Sequence, residues 1–244
     1  MAKLRLGGQL TGVAVPELGY IETINGHNLL VHTSDIDISW EDAPDDRERA
    51  ESELLAWLDT RLLAMSLTTG LPASYVEGRW TEFTPADGRT RVGGSFGFAY
   101  SVSYQSAKQL GGYESLAGLI ESDDDLRKAV DRYRRAMALT GNDDDAVMAL
   151  AYLGAEGLVA LLAGTGGRGR WPPAAQAVGM TPDDLTQLWA STQFGRHDEA
   201  RRRDAADILT SMGRPPLSAN EVCQRYREFV RAFIRTRHGV EISP

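Results

Sequence analysis

The chain has 244 residues, 42% of them hydrophobic and 25% charged, which excludes a disordered, collagen-like or low-complexity polypeptide. Its single cysteine, Cys223, excludes a disulfide framework and a Cys-based zinc site, since both need several sulfurs. The net charge of -8 is unevenly spread: residues 1–121 carry -8, residues 122–195 carry -3 and residues 196–244 carry +3.

This length favours two domains. The opening residues hold no apolar run of signal-peptide length, and the most apolar stretch, Ala146 to Ala163, carries Glu156 near its middle. The expectation is a cytoplasmic protein with no membrane span and no cofactor. Short β-prone runs at Leu10–Val15, Tyr20–Ile24, Leu29–Thr33 and Ile36–Trp40, broken by Gly and Pro, predict a small sheet. From Pro44 to Thr69 the spacing of Leu54, Leu55, Trp57, Leu58, Leu62 and Met65 is helical, and Gly70 closes the segment. Tyr75–Phe83 and Arg91–Tyr104 return to β character around Pro85-Ala86-Asp87-Gly88, as a hairpin would. Residues 1–110 thus read as an α+β domain that mixes a small sheet with a helix.

After an apolar connector with Gly111-Gly112, the chain reads as an all-α helical bundle over residues 122–240. Ser122-Asp123-Asp124-Asp125 and Asn142-Asp143-Asp144-Asp145 are two acidic caps, each opening a helix, and only Thr140-Gly141 intervenes. Two helices joined so tightly form an antiparallel hairpin. The first carries Leu126, Val130, Tyr133 and Met137 on one face. The second, Ala146 to Leu162, is apolar all round and is expected at the bundle centre. Further helices are expected at Pro182–Ser191, Asp198–Ser211 and Ser218–Arg237, with Gly164–Gly169 as a flexible connector.

Few residues in this pattern carry chemistry. Glu156, a structural buried charge on an apolar helix, needs a partner, and an Arg or a backbone donor is the expected one. On the last helix, Arg227, Arg231, Arg235 and His238 share one stripe, opposite Val222, Tyr226, Val230 and Phe233. Cations stacked at such spacing repel one another unless phosphates, carboxylates or a partner subunit face them, or unless the stripe is simply a solvated face. Arg196-His197 and Arg201-Arg202-Arg203 form a second basic cluster. The four histidines do not pair at metal-ligand spacing on a helix, so no metal is expected. No Gly-x-Ser-x-Gly elbow occurs, and Cys223 is expected to pack within a helix.

The run from Ala129 to Ala136, the Asp143–Asp145 cap, and Ala151-Tyr152-Leu153-Gly154-Ala155-Glu156-Gly157-Leu158 together resemble the opening helical hairpin of the HEPN-like bundles, including those fused behind a β-rich N-terminal domain. The resemblance covers about residues 122–240. It implies RNA binding or metal-independent RNA cleavage, in stress or phage defence, by a homodimer that brings together two motifs of Arg and His separated by four to six residues. Arg231 and His238, with six residues between them, fit that spacing, although Ala232 replaces the polar residue common after the Arg. Arg196 and His197 are the alternates by order along the chain. The resemblance thus implies Arg231 and His238 as the catalytic pair and Arg227, Arg235, Arg201 and Arg202 as RNA contacts. The competing reading is a non-catalytic sensor or interaction protein that uses the bundle to dimerise and the N-terminal domain to hold a protein partner.

Overall fold

The computed structural model describes residues 2–11, 20–24, 27–32, 35–86, 91–93, 113–164, 168–195 and 199–242. The chain is α+β and divides into two compact units, residues 1–65 with 71–110 and residues 66–70 with 111–244.

The first unit is built on an antiparallel sheet of β1 (Ala2–Thr11), β2 (Tyr20–Ile24), β3 (His27–His32), β4 (Asp35–Ala43), β5 (Ser74–Thr84) and β6 (Arg91–Gly93), in the order β2-β3-β4-β1-β5-β6. Strand β1 is central and starts eight residues ahead of the expected Leu10, because Ala2, Leu4 and Leu6 alternate inward against outward Lys3 and Arg5. The outward face is ionic, with Lys3 on Glu41 and Arg5 3.7 Å from Glu82. The inward residues, with Ile38, Phe83 and the α1 (Arg47–Thr69) side chains Ala50, Leu54, Trp57, Leu58 and Leu62, make the core. The expected hairpin exists as β5 and β6, paired through Thr81 with Gly93 and Phe83 with Arg91. Residues 94–104 of the second expected strand lie outside the described residues.

The second unit is helical: α2 (Tyr113–Ser122), α3 (Asp124–Leu139), α4 (Asp144–Ala163), α5 (Trp171–Ala177), α6 (Pro182–Thr192), α7 (Glu199–Met212) and α8 (Ala219–His238). Both acidic caps act as expected. Asp123 accepts from the amides of Asp125 and Leu126, and Asp143 accepts from that of Ala146, satisfying first-turn donors that no helix can bond internally. Two helices depart from the sequence reading. The apolar connector is α2, whose Leu116, Ala117 and Ile120 are buried, and the glycine-rich connector leads through a 3-10 turn at Arg168–Arg170 into α5, started by Pro172 and Pro173.

Helix α4 packs against α3, α5, α6 and α8, burying Val147, Met148, Ala151, Ala155, Leu158 and Val159. By length and composition alone it could cross a membrane. It is not enclosed on all sides as its apolarity suggested: Leu153 is 48% exposed and Leu161 41%. Gly154 lets α8 approach closely, with Tyr226 filling the space a side chain would take and donating 2.8 Å to the Ala129 carbonyl of α3.

Candidate functional site on helix α8

Helix α8 opens with a capping box in which Ser218 and Glu221 exchange side-chain and backbone hydrogen bonds, and it closes at Gly239 in the left-handed conformation, φ 68°. Val222, Cys223, Tyr226, Phe229, Val230 and Phe233 are buried on one side, so the cationic stripe falls on the other by geometry alone. Cys223 packs as expected, 3.6 Å from the Thr140 hydroxyl, and burial raises its thiol pKa.

The four members of the stripe have four different surroundings. Arg227 donates from Nε to the Leu67 carbonyl at 2.8 Å and from Nη2 to the Thr68 carbonyl. It thereby caps the C-terminal turn of α1, which has no basic residue of its own. Gly70, at φ 73°, accommodates this, since a Cβ there would stand 2.7 Å from Arg227 Nη1. Arg231 is half-buried and donates to the Ile242 carbonyl, as the chain turns back after Gly239 and buries the Ile242 side chain. Burial first, and then the neighbouring Arg227 charge, lower its pKa. Arg235, one turn on, is exposed. His238 Nε2 stands 3.4 Å from Asp123 Oδ2 without hydrogen-bond geometry and without solvent-accessible surface, and its ring lies edge-on to Phe233.

Arg231 and Arg235 line one wall of an open cleft of about 410 Å³, with Glu228 and Ala232 of α8. The opposite wall is Gly179, Met180, Thr181 and Asp184 at the start of α6, and Glu241 and Ile242 close one end. Asp184 is held by Arg214 at 2.8 Å and Arg225 at 2.5 Å, and Arg225 also reaches Glu228 at 3.3 Å. Partial burial pushes the Asp184 carboxyl up, but hydrogen bonds from Thr181, Arg214 and Arg225 outweigh it and leave the pKa at about 2. With Asp184 and Glu228 matched by Arg214 and Arg225, Arg231 and Arg235 are the cations this cleft presents to a ligand.

The structure therefore brings Arg231 and Arg235 to one cleft and places His238 and Arg227 elsewhere. His238 lies two helical turns, about 10 Å of rise, beyond Arg231 on the same stripe. Arg201 and Arg202 lie on α7, exposed and half-buried respectively, and neither lines the cleft. Arg196 and His197 lie outside the described residues, as does Gly164–Gly169 over residues 165–167. Both His27 and His32 fall on β3. Glu156 is half-buried rather than buried, and its partner is neither an Arg nor a backbone donor: the Tyr152 hydroxyl, one turn earlier, donates to it at 2.6 Å. The open side of α4 leaves the carboxylate partly in water, so the hydroxyl suffices. Tyr152 in turn stacks on Trp171 at 6.2 Å between ring centres.

Sequence reasoning missed Asp184, Arg214, Arg225 and Glu241. Thr181-Pro182-Asp183-Asp184 is a legible helix start, and Thr181 does cap α6, but the two arginines that hold Asp184 lie 30 and more residues away. Among the described residues no cluster of three or more His, Cys, Asp or Glu could hold a metal ion. Comparison of the chain with protein-family models, with curated proteins and with solved structures finds no match.

Proposed function

We propose that the helical unit is a HEPN-like module of the cytoplasm that binds RNA through the α8 cleft, with Arg231 and Arg235 taking the phosphates. The observation that carries this reading is the pairing of two guanidinium groups, one turn apart, on the wall of an open cleft whose acids are largely matched by other arginines. Guanidinium suits this role because its planar donor fork matches phosphate oxygens, and local field rather than the net charge of -8 governs such a contact.

Binding is better supported than cleavage. In a metal-independent ribonuclease, Arg231 would stabilise the scissile phosphate and His238 would move the proton of the attacking ribose hydroxyl. Here His238 Nε2 faces Asp123 and has no accessible surface, so Nε2 can move a substrate proton only if the ring turns away from Asp123. The same observation, with the exposed Leu153 and Leu161 of α4, favours as second reading a non-catalytic interaction protein.

The test is a titration of labelled single-stranded RNA at several salt concentrations. Wild type is expected to bind, with affinity falling as salt rises. Arg231→Glu with Arg235→Glu is expected to weaken binding and to flatten the log–log salt slope by about 1.4, at roughly 0.7 per lost phosphate contact on a single strand. No binding at low salt, or a slope unchanged by the double substitution, refutes the RNA reading and leaves the interaction protein. RNA turnover in EDTA that is abolished by His238→Ala would extend the reading to cleavage. Its abolition by His197→Ala alone would assign the reaction to the alternate pair.

A further inference from the structure

Glu241, at the end of the α8 cleft, is the one charge there that phosphate binding leaves without a role. It is exposed and forms no ion pair or hydrogen bond among the described residues. In this it differs from Asp184 and Glu228, which Arg214 and Arg225 hold. Arg235 is likewise exposed and in no ion pair among the described residues, although it lines the same cleft. A cation and a carboxylate that share a cleft without meeting fit a ligand that is anionic at one end and donates hydrogen bonds at the other.

Size and lining narrow the ligand further. The cleft volume of about 410 Å³ lies within the range of about 300–1,000 Å³ usual for small-ligand sites, so it admits one splayed nucleotide rather than a duplex. Its lining also includes the half-buried Met180 and the buried Ala232 and Ile242, apolar surface against which a base can lie. Single-stranded RNA is read in this way, with an unstacked base bonded along its Watson–Crick edge.

The chemistry of a carboxylate then decides among the four bases. An ionised carboxylate only accepts, through two oxygens side by side. Guanine alone offers two adjacent donors, N1–H and the 2-amino group. Adenine and cytosine each set one amino donor beside a ring nitrogen that accepts, and uracil flanks its N3–H with two carbonyl oxygens, so each of these also repels the carboxylate. Phosphate contacts from Arg231 and Arg235 carry no such information. We infer that the cleft selects guanine, with Glu241 accepting from N1–H and the 2-amino group of one nucleotide while Arg231 and Arg235 hold its neighbouring phosphates. This inference rests on the RNA reading and adds to it a base and the residue that chooses it.

Fluorescence anisotropy on the full chain tests it, with labelled eight-nucleotide oligouridine at low salt and one central position changed to G, A, C or inosine. Wild type is expected to bind the G-containing strand about tenfold more tightly than those with A, C or U, within the usual worth of a bidentate base contact. Inosine keeps N1–H and lacks the 2-amino group, so it is expected to fall between. Glu241→Gln, at an exposed position, is expected to keep its helix content and its affinity for oligouridine while the preference for G drops to twofold or less. Arg231→Glu with Arg235→Glu is expected to weaken binding of all five strands alike.

Wild-type affinities within twofold of one another overturn the inference and leave the RNA reading standing. A preference for G that survives in Glu241→Gln overturns the role of Glu241. Absence of binding to every strand overturns the RNA reading, and this inference with it.

Discussion

Replacing Gly154 by alanine separates what helix propensity favours from what packing allows. Alanine in the middle of a helix is favoured over glycine by about 1 kcal/mol, so in isolation α4 would gain. In the folded unit the added Cβ would stand 1.7 Å from the Tyr226 hydroxyl oxygen and 2.4 Å from Cζ, separations no side chain tolerates. Tyr226 is fully buried, edge-on to Tyr133 at 6.1 Å between ring centres, and its hydroxyl is fixed on the Ala129 carbonyl. It has nowhere to swing, so α4 and α8 must separate or the hydroxyl must lose its acceptor. Overpacking of this kind costs about 1–3 kcal/mol, and a lost buried hydrogen bond about 1 kcal/mol more. Net of propensity, Gly154→Ala is expected to destabilise the helical unit by about 2 kcal/mol. At an m-value of about 2 kcal/mol/M this lowers the urea midpoint by roughly 1 M, measured from the far-ultraviolet circular dichroism. Tyr226→Phe removes the nearest atom of the clash, so the same glycine substitution is expected to cost about 1 kcal/mol less in that background, the coupling of two groups in contact. A Gly154→Ala protein at or above wild-type stability would refute the close approach of α8 to α4.

Two further outcomes follow from the arginine and aspartate contacts. Arg227→Ala removes the cap on the last turn of α1 and is expected to cost about 2 kcal/mol, the usual worth of a charge-assisted hydrogen bond. Hydrogen exchange of the amides over Ser66–Thr69 is expected to speed up, whereas unchanged exchange there would show the contact to be dispensable. The Asp184 carboxyl has its pKa depressed from 3.8 to about 2, so its ion pairs stabilise the fold above pH 4 and that stabilisation is lost as pH falls through 2. Asp184→Asn lacks this term, so it is expected to be less stable than wild type at pH 5, with the gap closing between pH 4 and pH 2. A gap that is constant across that range would mean that Asp184 is not ionised in its pairs.

The sequence by itself determined the class of the protein and most of its second unit, because the signals involved are local. Acidic caps at Asp123 and Asp143, the 3.6-residue spacing of Leu126, Val130 and Tyr133, and the Ser218 to Glu221 box each act within a turn or two of the chain. Helix α2 escaped because a ten-residue segment bearing Gly118 gives weak periodicity, whereas strand β1 did carry a legible alternation from Ala2 to Leu6 before Gly7 and Gly8 interrupt it. The cationic stripe of α8 was also legible, since it follows from the apolar face of the same helix.

What became of each cation was decided only in three dimensions. Arg227 and Arg231 differ by one helical turn and look alike in sequence, yet one meets carbonyls 160 residues away and the other a carbonyl just past the end of its own helix. Asp184 gains its arginines, and Gly154 its tyrosine, through crossings between helices far apart in the chain. Local sequence sets which side of a helix is apolar. The angle and depth at which helices cross depend on the shapes of many side chains together, and those crossings decide which charges are spent on the fold and which are left to meet a ligand.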